Sequence, residues 1–140
     1  MGRKLVIITG PTAVGKTDFC IEAALKFGSP VISCDSRQIY KEMTIGTAVP
    51  DASQLAAVKH YFIHSIHVTE PYSSGQYEID ALALIDRLFS EGRETLVMCG
   101  GSGFYIDAVC NGLDCLPVPP PELREELTQR VKTEGVGALA

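Results

Sequence analysis

The sequence has no apolar run longer than residues 81–85, far short of the ~20 residues that a membrane-spanning helix needs, so the chain is expected to be soluble and not to touch a membrane. It has no excess of basic charge. Twelve Lys and Arg against 17 Asp and Glu leave a net charge of -5, which argues against a surface devoted mainly to nucleic-acid phosphates. Cys20, Cys34, Cys99, Cys110 and Cys115 contain no C-x-x-C pair and are odd in number. They argue against a disulfide framework and suit buried thiols in a reducing cytosol. A secretory leader is not expected, because the apolar stretch after Arg3 and Lys4 stops at Gly10-Pro11. The Met-Gly start lacks the Ser or Thr of a myristoylation site, Val6 standing there instead. There is no H-E-x-x-H pattern: His60, His64 and His67 have no obvious fourth ligand and read as strand and loop histidines, not a zinc site. Internal repeats and low-complexity tracts are also missing. What remains is 140 residues, 46% hydrophobic and 21% charged, enough for one globular domain with its own core.

The order of elements is informative. Residues 5–9 (LVIIT) form a compact β-branched run that predicts a buried strand of a parallel sheet. From 16 to 27, apolar residues recur four apart at Phe19, Ala23 and Phe27, which predicts a helix stopped by Gly28. A second short strand is expected over 30–34, ending at Asp35, and a third over 61–66. The spacing of Ile79, Leu82, Ile85, Leu88 and Phe89 predicts an amphipathic helix over 77–91 stopped by Gly92, and 95–99 is the last clear strand. Buried strands alternating with helices indicate an α/β fold with a parallel sheet covered on both faces. After Cys115 the chain changes character. Residues 116–121 are a stiff proline-rich connector, and 122–133 are charged and helical, with Leu123, Leu127 and Val131 as a thin apolar stripe that expects a partner helix.

Gly10-Pro11-Thr12-Ala13-Val14-Gly15-Lys16-Thr17 matches G-x-x-x-x-G-K-[ST] residue for residue, with a predicted strand before it and a helix after it. Such a loop turns backbone N–H groups toward a phosphate, places a helix N-terminus behind it, neutralises charge with Lys16 and can hold Mg²⁺ through Thr17. A glycine turn with a solvated lysine is the plain alternative. The loop alone does not choose among kinases, NTPases and other transferases. Asp35-Ser36-Arg37-Gln38-Ile39-Tyr40 adds a carboxylate at the carboxyl end of a buried strand, the edge where ligands of open α/β sheets gather. Asp35 could equally cap the following turn.

Residues 10–17, Asp35 to Tyr40, Ile45-Gly46-Thr47-Ala48 and Gly100-Gly101-Ser102-Gly103-Phe104-Tyr105 together resemble the ordered motifs of the tRNA dimethylallyltransferase, or tRNA isopentenyltransferase, family. The resemblance runs from Lys4 to about Arg130, roughly the first half of a typical member. It implies a P-loop NTPase-like catalytic core over 1–115 and the beginning of a helical tRNA-binding insertion over 116–140, so the chain alone is expected to be a poorly active half. The activity implied is transfer of a dimethylallyl group from dimethylallyl diphosphate to N6 of the adenosine 3′ of the anticodon, with release of pyrophosphate and Mg²⁺ as cofactor. Partners would be dimethylallyl diphosphate and the tRNA anticodon stem-loop, for a cytoplasmic monomer.

The resemblance also distributes roles. Asp35 would take the amine proton, Thr12 would contact the bridging oxygen of the diphosphate, Lys16 its outer oxygens and Thr17 the metal. Ser36, Arg37, Gln38, Ser102 and Arg124 match positions that touch tRNA, Asp35 orienting the reacting amine beside them. Ser102 stands where Thr is usual, Val49 where Lys is common, and 60–64 (HYFIH) replaces a His-His-Leu-Ile-Asp pattern. Gly100-Gly101-Ser102-Gly103 lacks G-x-G-x-x-G spacing, so close backbone approach at a strand-to-helix turn accounts for it better than a second nucleotide fingerprint. A small P-loop kinase with ATP in the loop, and a non-catalytic phosphate-binding module, are the competing readings.

Overall fold

The computed structural model describes residues 2–114, 117 and 119–140. The chain opens with β1 (Lys4–Ile8), followed across the glycine loop by α1 (Lys16–Phe27). Gly28, at φ 61°, ends α1 by donating its N–H to the carbonyls of Ala24 and Leu25, the role that its place in the sequence predicted. Next come β2 (Val31–Ser33), α2 (Ala52–Ala57) and β3 (His60–Tyr61). The strand expected over 61–66 is therefore cut short. Phe62 (φ 62°) and His64 (φ 47°) adopt left-handed backbone, which breaks the extended path, and one parallel bridge from Tyr40 to Ile66 is what survives of it.

The helix α3 (Ser74–Ser90) begins earlier than its apolar spacing indicated, because the Ser73 hydroxyl accepts from the Gln76 N–H and provides the cap. It leads to β4 (Thr95–Cys99), α4 (Gly103–Asn111) and α5 (Pro121–Glu134), with a short 3-10 turn over Val136–Leu139. Pro121 opens α5, where its missing N–H costs nothing. Two residues of the predicted connector, Leu116 and Val118, lie outside the described residues.

The sheet has the order β1-β4-β2-β3 with every pair parallel, in registers such as Val6 with Val97 and Ile32 with Met98. Because side chains alternate along a strand, β4 divides its residues between two layers. Val97, with Val31, packs against Ala24 of α1 on one face. Leu96 and Met98, with Ile32, pack against Tyr77, Ala81, Leu84, Ile85 and Leu88 of α3 and Tyr105 of α4 on the other. Tyr77 is fully buried, stacks on Tyr105 with ring centroids 4.1 Å apart, and donates its hydroxyl to the Ser33 carbonyl at 2.8 Å. The parallel α/β sheet covered on both faces is thus observed.

Two expectations need correction. Cys20 and Cys99 are paired as a disulfide with their Cα atoms 6.3 Å apart, not held as free thiols, because α1 lies directly on the end of β4 and brings helix position 20 against strand position 99. Cys34 is free and buried, Cys110 is free and exposed, and Cys115 lies outside the described residues. The apolar stripe of α5 meets no covering helix among the described residues: α5 contains no buried residue, and Leu123 and Leu127 are 39% and 36% exposed. Among the described residues no helix is long and apolar enough to cross a membrane.

Candidate active site

Insertion of β4 between β1 and β2 sets the carboxyl ends of three strands side by side. The loops that leave them, 9–15, 34–38 and 100–102, meet around a cavity of about 330 Å³. Thr12, Ala13, Gly15, Lys16 and Thr17 line its phosphate-loop side. Gly15 (φ 86°) and Ala13 (φ 64°) hold left-handed backbone, the alternation that turns successive N–H groups inward. The Lys16 ammonium donates to the carbonyls of Gly10 at 2.7 Å and Pro11 at 2.5 Å, so the lysine lies across its own loop. Val14 stays outside the cavity lining, 60% exposed.

Asp35 leaves the end of β2 and also lines the cavity. Its Oδ1 accepts from the N–H groups of Arg37 at 2.8 Å and Gln38 at 3.1 Å, so the capping role foreseen for it is real. Both bonds engage Oδ1, and the cap therefore does not consume Oδ2. Arg37, exposed, and Gln38, half-buried, line the same space. The Gln38 amide nitrogen donates to the carbonyls of Thr47 at 2.9 Å and Ala48 at 3.0 Å, which commits it to holding the 44–49 loop against the site.

The third wall is the turn after β4. A Cβ on Gly100, whose φ is 157°, would stand 2.7 Å from the carbonyl carbon and oxygen of Cys34, so only glycine lets the two backbones meet. There the Cys34 carbonyl accepts from the Ser102 N–H at 3.2 Å. The Ser102 hydroxyl accepts from the Ser36 N–H at 2.9 Å and donates to the Ser36 hydroxyl at 3.2 Å, fastening the two motifs to each other. Burial, reinforced by the charge of Asp35, pushes the Cys34 thiol up to about 12 and keeps it protonated. Arg124 stands apart from these residues on the exposed α5 and does not line the cavity.

Several lining residues carried no assigned role in the sequence. Gly46, Thr47 and Ala48 belong to a motif that was visible but mute, and Ala48 is left-handed at φ 52°. Gln54 arrives through the capping box of α2, in which Asp51 accepts from the Gln54 N–H while Gln54 accepts from the Asp51 N–H. The D-x-x-Q spacing was the signal for it. Gln54 also donates to Asp18 of α1 at 2.7 Å. His60 lines the cavity with Nδ1 2.9 Å from the Val58 carbonyl, and burial lowers its pKa, favouring the neutral ring.

Residues 38–140 match the family model described as IPP transferase. The chain belongs to the IPP transferase family. Similarity to members of the IPP transferase family extends through the phosphate loop as well. The chain is 47% identical over 137 residues to tRNA dimethylallyltransferase 2 of Parabacteroides distasonis, covering 98% of this chain and 46% of that one. It is 46% identical over 139 residues to tRNA dimethylallyltransferase of Christiangramia forsetii, covering 99% and 46%. Among solved structures, the full-length tRNA isopentenylpyrophosphate transferase of Bacillus halodurans superposes with a TM-score of 0.75 at 34% identity, over 99% of this chain and 46% of that one. A eukaryotic dimethylallyltransferase acting on tRNA gives a TM-score of 0.76 at 23% identity, over 94% and 36%, a likeness of fold. The P-loop NTPase-like fold expected from the motifs is therefore the fold observed. The chain spans about half the length of the curated relatives it matches.

Proposed function

We propose that this chain carries the diphosphate-binding and catalytic half of a tRNA dimethylallyltransferase, with residues 1–115 as the catalytic core and 116–140 as the start of a helical tRNA-binding insertion. The observation that carries this reading is the convergence of Lys16, Thr17 and Asp35 on one cavity walled by Gly100 and Gly101. The loop of Gly10 to Thr17 grips a leaving diphosphate here: Lys16 exchanges its two loop carbonyls for the outer phosphate oxygens, and Thr12 meets the bridging oxygen. The exocyclic amine of adenine attacks the allylic carbon, the carbon–oxygen bond to pyrophosphate breaks, and the amine proton passes to Asp35. Since Oδ1 already accepts two backbone N–H bonds, Oδ2 receives it.

The donor set suits Mg²⁺. Thr17 offers one hydroxyl, and among the described residues there is no cluster of His, Cys, Asp and Glu that would cage a metal by itself. Thr17 would hold such a hard cation through that hydroxyl. When bound, Mg²⁺ supplies positive charge beside the leaving pyrophosphate. Ser36 and Ser102, fastened together beside the cavity, and Arg37 on its wall would receive the anticodon stem-loop with the target base swung out of its stack. Gln38 serves that surface by supporting the adjacent loop, and Arg124 would meet tRNA farther out. The enzyme would act as a cytoplasmic monomer.

The test is transfer of label from dimethylallyl diphosphate into unmodified tRNA by an enzyme of the relatives' length that contains this sequence. Label in the adenosine next to the anticodon is expected. ATP-dependent phosphoryl transfer with no label in tRNA would replace this reading with the kinase one.

A further inference from the structure

We propose that Cys20 and Cys99 form a reversible oxidation site in the wall of the phosphate cavity, one that a hydroperoxide closes and bound diphosphate shields. The two residues are 79 positions apart in sequence, yet they are paired, and both line the cavity. Cys20 lies one helical turn beyond Lys16, on the same side of α1, and Cys99 immediately precedes Gly100. The pair therefore joins the helix that carries the phosphate-binding lysine to the strand end that carries the Gly100 turn. With Cα atoms 6.3 Å apart, the backbone already has the separation that a disulfide requires.

The remaining described free cysteines, Cys34 and Cys110, do not line the cavity. Cys34 is buried, and its thiol is held protonated beside Asp35, so it is a poor nucleophile. Cys110 is exposed on α4. Of the pair, Cys20 is 1% exposed and Cys99 is half-buried, so Cys99 meets the oxidant first and Cys20 resolves. The Cys99 sulfur attacks the peroxide oxygen, the O–O bond breaks, and a sulfenic acid forms with release of alcohol, or of water when the oxidant is hydrogen peroxide. The Cys20 sulfur then attacks the Cys99 sulfur, the S–O bond breaks and a second molecule leaves as water. Two thiols have lost two protons and two electrons to one hydroperoxide, and a dithiol reductant restores them by exchange. A diphosphate in the cavity would stand against the wall that Cys20 and Cys99 line and restrict access to the half-buried Cys99, and this shielding rests on the proposed diphosphate site.

The experiment uses the 140-residue chain, reduced and then exposed to hydrogen peroxide with and without inorganic pyrophosphate. Peptide mapping under non-reducing conditions is expected to find a Cys20–Cys99 crosslink and the loss of two hydrogens, reversed by dithiothreitol. In Cys20→Ser, Cys99 is expected to persist as a sulfenic acid that dimedone traps. Cys20 and Cys99 that both still alkylate after peroxide treatment and unfolding would overturn the oxidation site. With pyrophosphate at ~10 times its Kd, crosslinking should slow about tenfold, in proportion to the chains left unliganded. An unchanged rate despite measured pyrophosphate binding would overturn the shielding. Absence of pyrophosphate binding would instead overturn the diphosphate site and the shielding with it, while crosslinking without ligand still decides the oxidation site.

Discussion

At the scale of single residues, Asp35 has two duties divided between its two oxygens. One holds the turn through Arg37 and Gln38, and the other is the proton acceptor of the proposed reaction. Asp35→Asn keeps an oxygen for the turn and loses the base. It should lower transfer by about 10²–10⁴-fold while pyrophosphate affinity, read by calorimetry, stays near that of the parent. Lys16→Ala should do the opposite and weaken pyrophosphate binding directly. Equal loss of binding in both variants would contradict the division of roles. Gly100→Ala forces a methyl group against the Cys34 backbone at 2.7 Å and should cost about 1–3 kcal/mol in a denaturant titration, since no flexible side chain can yield there. His60 brings pH into the balance. Burial lowers its folded pKa below 6.5, so the unfolded chain takes up protons first as pH falls. Its contribution is present above pH 6.5 and is lost as pH drops through the lowered value. His60→Gln should flatten that part of the stability profile, and an unaltered slope would show that His60 is not its source.

At the scale of elements, the strands and helices carrying a clear period were readable. α1 and β4 coincide with their predicted spans, and α3 starts earlier, where Ser73 caps it, and ends at Ser90, one residue short of the predicted 91. The stretch over 61–66 was not readable, because its apolar content resembles a strand while Phe62 and His64 take left-handed backbone that only tertiary context sustains. α2 escaped for another reason. It is too short for a period to declare itself, although its capping box was present in the letters. The stripe on α5 is legible as amphipathic, yet no residue of α5 is buried among the described residues. Leu127→Glu is therefore expected to shift stability by no more than about 0.5 kcal/mol, whereas the same change at the buried Leu96 of β4 would be severe. A large loss at Leu127 would reveal that α5 is covered in solution.

At the scale of the whole molecule, the net charge of -5 belongs to a chain about half as long as its relatives. Its cavity is built around a phosphate loop, and its charge balance is acidic, not basic. Titrated alone, it should bind pyrophosphate and show weak affinity for tRNA with only a shallow dependence on salt, because few phosphate contacts can form. Tight tRNA binding with a steep salt dependence would mean that the recognition surface is already complete within these residues. The sequence by itself determined the phosphate loop, the alternating strands and helices and the family motifs, since backbone demands at a phosphate and hydrophobic periodicity are both local. Only the tertiary structure decided that Cys20 meets Cys99, that Gln38 is spent on the 44–49 loop, and that His60 and Gln54 reach the cavity. The first depends on β4 inserting between β1 and β2, and the others on contacts of Gln38 with its neighbouring loop, of Gln54 with α1 and of β3 with β2, packing that no local pattern in the sequence reports.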